Sequence, residues 1–147
     1  MKKRILVVIM VVGAALGLTG CNTSFAYTYN VDTGDAVRIE LNTTDGYSIS
    51  SETPFEISKD GEVLSTGTFI YEEYYDAYVE AAETDENAEI LDKGNENGIK
   101  YVFWNYDDEE YNYVILIKGS DTGILLGNNI SEESAKEVFE RLEITLE

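Results

Sequence analysis

Phe25, Tyr27, Tyr29 and Val31 alternate with Ala26, Thr28 and Asn30, and Val37, Ile39 and Leu41 alternate with Arg38 and Glu40. A period of two marks a strand that buries one face, and it governs most of this chain. The first of these runs also reads as an aromatic-rich linker. After a polar turn over residues 42–46 come Tyr47-Ser48-Ile49-Ser50, then Phe55-Glu56-Ile57 and Glu62-Val63-Leu64 around Lys59-Asp60-Gly61. Asp-Gly between strands signals a hairpin, because both residues tolerate positive φ. Further on, "IKYVFWNY" and "YNYVILI" are apolar on both faces, as strands covered on both sides are.

The period changes once in the middle and once near the end. In "YEEYYDAYVEAAET" the apolar residues Tyr71, Tyr74, Tyr75, Tyr78, Val79 and Ala82 recur at helical spacing, with Glu72, Glu73, Asp76 and Glu80 opposite. Ala135, Val138, Phe139 and Leu142 repeat the pattern behind Ser131, whose hydroxyl can cap a helix beginning with Glu132 and Glu133. Gly94-Asn95-Glu96-Asn97-Gly98 reads as a turn, Ile124-Leu125-Leu126 as a short buried strand, and Ile144 with Leu146 as a last strand. Strands, helix, antiparallel strands, helix and strand predict an α+β fold: an antiparallel β-sheet with two main helices packed on it.

Ahead of this lies a leader. Lys2, Lys3 and Arg4 precede an apolar run over 5–18. As a helix those residues reach only about 21 Å, short of the roughly 30 Å hydrocarbon core, which predicts a signal-peptide helix rather than a stable span. Leu18-Thr19-Gly20-Cys21 resembles the lipobox of bacterial lipoproteins. The resemblance implies acylation of Cys21 and cleavage just before it, because small residues let a peptidase grip the backbone closely. The expected organisation is a signal peptide over 1–20, the lipidated Cys21 with a short tether over 21–24, and one α+β domain over 25–147. An ordinary signal peptide with a coincidental cysteine is the other reading. Two acyl chains, at about 0.8 kcal/mol per buried methylene, hold a protein on a bilayer where one does not.

The omissions are as informative. Cys21 is the only cysteine and histidine is absent. With the thiol acylated, internal disulfides, thiolate or imidazole metal sites and Ser-His-Asp or Cys-His nucleophiles all fall away. Beyond the leader, seven Lys and Arg face 29 Asp and Glu, a formal charge of −22 over 127 residues. Such a surface repels nucleic acid. It either keeps the protein soluble or meets a cationic partner or calcium. No cofactor is expected.

Asp107, Asp108, Glu109 and Glu110 form the densest acidic run, placed between the two strongest strands and flanked by Tyr106 and Tyr111. An aromatic-plus-acid loop is a candidate surface for a cationic or carbohydrate partner. Calcium geometry fails elsewhere: with Gly98 at position 6 of an EF-hand loop, Lys93 and Trp104 occupy positions 1 and 12. Tyr74, Tyr75, Tyr78, Tyr101 and Tyr113 follow buried periods and are expected in the core.

From Tyr47 onward, "DGYSISSETPFEISKDGE", the strand pair "GIKYVFWNY" and "EYNYVILIKG", and the ending "SEESAKEVFERLEITLE" resemble the PsbP-like α-β-α sandwich in element order. That family is mostly non-enzymatic and docks on larger assemblies, often at membranes, so the resemblance implies binding. The expectation is a non-catalytic binding or accessory protein of the cell membrane's extracytoplasmic face. Its partners would be the membrane, through Cys21, and an envelope protein or cell-wall component. A small carboxylate-dependent cell-wall hydrolase and a purely structural acidic surface protein are the alternatives.

Overall fold

The computed structural model describes residues 23–147 and the backbone of Met10–Val12. The short strand β1 (Met10–Val12) runs beside β2 (Ser24–Asn30). Met10–Val12 belong to the apolar run expected as a signal-peptide helix and are extended instead; the rest of that run and Cys21 lie outside the described residues.

Two antiparallel sheets form the frame. The smaller has the order β1-β2-β3-β11, with β3 at Ala36–Asn42 and β11 at Leu142–Leu146. The larger has seven strands in the order β4-β5-β6-β10-β9-β8-β7. These are β4 (Tyr47–Ile49), β5 (Phe55–Lys59), β6 (Glu62–Tyr71), β7 (Ala88–Glu96), β8 (Ile99–Tyr106), β9 (Glu110–Ile117) and β10 (Thr122–Asn128). Helix α1 (Glu72–Thr84) packs on one face of the large sheet. Helix α2 (Glu132–Glu140) and the small sheet cover the other. The fold is α+β as expected, but the single sheet becomes two. Period-two runs at both chain ends announce strands without saying that β3 and β11 pair with each other, about a hundred residues apart.

The two-faced apolar runs are central strands. Tyr101 and Phe103 of β8, with Tyr113, Ile115 and Ile117 of β9, enter the core beneath the small sheet. Val102, Trp104 and Val114, from the opposite pleat, meet Tyr75 and Ala82 of α1. Each such side chain contributes about 1.5–3 kcal/mol by leaving water. The β2 run is a strand of the domain rather than a linker: Tyr29 is wholly buried, and its hydroxyl donates to the Ser50 carbonyl at 2.6 Å.

Local signals act as their chemistry dictates. Asp60 and Gly61 both take positive φ and join β5 to β6. Between β7 and β8 only Asn97 and Gly98 turn; Gly94, Asn95 and Glu96 belong to β7, shortening the expected five-residue turn. The Ser131 side chain accepts from the Ser134 N–H and caps α2. Tyr71 closes β6 instead of opening the helix, and Tyr74 is 51% exposed, so neither joins the core stripe. Helix α1 sits on a narrower face, through Tyr75 and Ala82 with Tyr78 and Val79 beside them. Among the described residues no helix is long and apolar enough to cross a membrane.

Every cation beyond residue 22 has a near neighbour that uses its charge. Arg38 pairs with Glu40, Lys93 with Glu83, Lys136 with Glu132 and Arg141 with Asp45. Lys59 lies over the Tyr47 ring, Lys100 over the Tyr75 ring, and Lys118 donates to the Asn95 side chain.

Candidate functional site

The sequence-predicted surface, Tyr106 with Asp107, Asp108, Glu109, Glu110 and Tyr111, forms the tip of the β8–β9 hairpin. Asp107 and Asp108 both adopt φ of 54°, and the Glu109 N–H donates to the Tyr106 carbonyl at 3.1 Å, closing the turn. Glu110 already belongs to β9 and pairs with Tyr106 rather than lying in the loop. All four carboxylates are exposed, and both tyrosines are half-buried. Tyr111 packs against the main core and its hydroxyl donates to the Asp108 carbonyl at 3.1 Å. The Asp107 N–H donates to the Asn87 carbonyl at 2.9 Å, tying the tip to the segment after α1. The tip is therefore a compact turn with outward charges. Among the described residues no three carboxylates or thiols converge as a metal-binding set.

A second acidic region lies at the other end of the same hairpin. Residues 101 and 107 are about 20 Å apart along β8, at roughly 3.3 Å per residue. Here α2, β11 and the ends of β7, β8 and β9 surround a cleft of about 820 Å³. Its floor is aromatic. The Tyr113 ring stacks between Phe103 and Phe139, each centroid 4.1 Å away and within 10° of parallel. Tyr101 leans on Phe139 at 4.6 Å, and its hydroxyl donates to Asp92 Oδ2 at 3.1 Å. Gly94 makes this ring position possible: a Cβ there would fall 2.3 Å from the Tyr101 ring. Ile99, Leu142 and Ile144 add apolar wall.

Above the floor stand Asp92, Glu96, Glu140 and Glu143, with Lys136 the one lining cation, a formal charge of −3. Lys136 Nζ is 2.9 Å from Glu132 Oε2. The negative field registers on its neighbours. Burial pushes the Tyr101 hydroxyl above its ordinary pKa, and the hydrogen bond and charge of Asp92 with the charges of Glu96 and Glu140 add to it. Tyr113 is raised mainly by burial, then by Tyr101, Asp92, Glu140 and Glu132. The Lys136 ammonium is held above its usual value by Glu132 first, with help from Asp92 and Glu140.

Sequence reasoning placed Tyr101 and Tyr113 correctly in the core, but did not join them to these acids. One wall carried a signal: Glu132, Lys136 and Glu140 recur every four residues and share a face of α2. The facing carboxylates of β7 had none, because the β7 edge approaches α2 only in the folded chain. A second pocket, about 80 Å³ beside Pro54 and Phe69, is much smaller and has Asp32 as its one ionisable carboxylate. No protein-family model, no curated protein and no solved structure matches this chain.

Proposed function

We propose that this chain is a lipid-anchored binding protein of the extracytoplasmic side of a bacterial cell membrane, without catalytic activity, that takes its partner in the cleft between α2, β11 and the β7–β9 edge. The cleft carries the reading. Its volume lies in the range of sites that enclose small molecules or extended side chains, roughly 300–1,000 Å³, and its walls combine aromatic surface with a few placed charges. The resemblance to PsbP-like modules points the same way, toward docking rather than chemistry.

Anchoring rests on the leader and its lipobox-like ending. Residue 21 stands three positions before Ser24, a reach of roughly 10 Å when extended. Phe25 pairs with Leu41 and Leu41 with Leu142, so the cleft wall at Leu142 lies two strand spacings from the start of β2, about 10 Å. A protein tethered through Cys21 would thus hold its cleft at the end nearest the bilayer, where a membrane-bound partner can reach it.

Replacing Cys21 with Ala should move the protein from the membrane to the soluble fraction in cell fractionation; undiminished membrane retention overturns the anchor. Photo-crosslinking residues placed at Thr145 in the cleft and at Glu109 on the hairpin tip should divide on intact cells. Capture from the cleft position is expected, and capture from the tip alone transfers the binding role to the acidic turn.

A further inference from the structure

Tyr113 has a polar atom that the packing does not use. The residue is 3% exposed, both ring faces are covered, and yet its hydroxyl has no hydrogen-bond partner among the described residues. A hydroxyl without a protein partner is costly only where water is shut out. This one is not sealed in, since Tyr113 lines the cleft and no enclosed side-chain oxygen or nitrogen among the described residues lacks a partner. The cleft's contents, water or a ligand that displaces it, therefore satisfy it. Like any tyrosine hydroxyl it is protonated at neutral pH, so it offers both a lone pair and a proton.

The surrounding charge narrows what those contents are. Four carboxylates line the cleft, and the one lining ammonium is engaged with Glu132. Both Asp92 and Glu140 act electrostatically on Tyr101, Tyr113 and Lys136, so their fields overlap where the Tyr113 hydroxyl emerges. The carboxylates nevertheless do not gather as a metal-binding set. Hard divalent cations demand several oxygens at short range. Charge spread over apolar walls instead suits an organic cation whose stem is aliphatic and whose head needs hydrogen-bond acceptors.

We propose that the cleft binds a primary alkylammonium group on an aliphatic stem, as carried by a free polyamine or by a lysine side chain of an envelope component. The ammonium is shared by Asp92, Glu140 and the Tyr113 hydroxyl oxygen, and the stem lies along Ile99, Leu142 and Ile144. This inference rests on the binding reading of the cleft and names its ligand class.

Calorimetric titration of the purified protein tests it with spermidine, N-acetyl-lysine N-methylamide, the uncharged norleucine analogue and calcium chloride. Saturable binding of one of the two amines is expected. The norleucine analogue should bind at least about tenfold more weakly, a difference of 1.4 kcal/mol. The tighter of the two amines identifies the source. The double variant Asp92→Asn/Glu140→Gln should lose about tenfold or more in affinity, and Tyr113→Phe, which keeps the ring stack, about threefold. Replacing Asp107, Asp108, Glu109 and Glu110 by their amides should leave the affinity unchanged. Unchanged thermal midpoints establish that the variants are folded. The assignment is overturned if neither amine saturates, if norleucine matches lysine, if calcium displaces the amine at equal concentration, or if the tip variant loses as much as the cleft variant. Crosslinking from Thr145 without amine affinity would sink this ligand class and spare the cleft; failure of both removes the binding site altogether.

Discussion

Four carboxylates sit at the tip of the β8–β9 hairpin and four more, from other elements, gather beside its other end, and the two sets are built differently. At the tip, Asp107, Asp108, Glu109 and Glu110 are consecutive, exposed, and borne by a turn that closes on itself. At the other end Asp92, Glu96, Glu140 and Glu143 come from β7, α2 and β11, and stand over a stack of aromatic rings. Adjacent acids on a turn are screened by water on every side. The cleft acids are exposed too, but separate packed elements space them around an apolar floor instead of along one turn. Density of charge in a sequence thus does not show which charges the fold gathers around a cleft.

The contrast can be tested hardest at the stack. Phe103 is wholly buried beneath the Tyr113 ring, so Phe103→Ala should cost about 3–5 kcal/mol in urea unfolding and abolish amine affinity together with the cleft floor. Retained affinity would show that the floor is dispensable and leave the carboxylates acting alone.

Alkaline titration probes the same end more gently. Burial first, then neighbouring carboxylates, holds the Tyr113 pKa above the ordinary tyrosine value of about 10, and Tyr29 is raised by burial and by Tyr27. Between that value and the folded one, the native state keeps protons that the unfolded chain has lost. Stability is therefore complete below about pH 10 and falls by about 1.4 kcal/mol per pH unit for each such group above it. Thermal melts from pH 9 to 11 should show this loss, and Tyr113→Phe should flatten it. An identical slope in the variant would mean that the Tyr113 hydroxyl does not feel its burial.

The smallest effect belongs to the tip. Asp108 sits in the left-handed region that glycine adopts freely, so Asp108→Gly should change stability by only about 0.5 kcal/mol, in the stabilising direction. A loss exceeding 1 kcal/mol would reveal a structural duty for the Asp108 side chain and weaken the contrast between the two ends.

Much of the frame could be read before folding. Strand alternation located β2, β3 and β5, and runs apolar on both faces located β8 and β9; the Asp60-Gly61 turn, the Asn97-Gly98 core of the longer turn expected over 94–98 and the Ser131 cap follow from backbone chemistry that needs no distant partner. The second sheet could not be read, because β3 and β11 are joined only by tertiary packing. Tyr74 was misplaced for a related reason: the periodic stripe shows which residues share a side of α1, while the large sheet decides how wide a strip it covers. The cleft was the least legible part. Its carboxylates are ordinary surface acids in sequence, and only the approach of β7 to α2 makes them neighbours.

The complete engagement of the cations by carboxylates, rings and an amide has a consequence for many molecules side by side. A chain with −22 formal charges over residues 23–147 and no unclaimed positive side chain among its described residues has nothing to offer the acidic flank of its twin. On a crowded surface such copies would hold one another at arm's length, with a spacing that widens in dilute electrolyte as the roughly 8 Å physiological screening length grows.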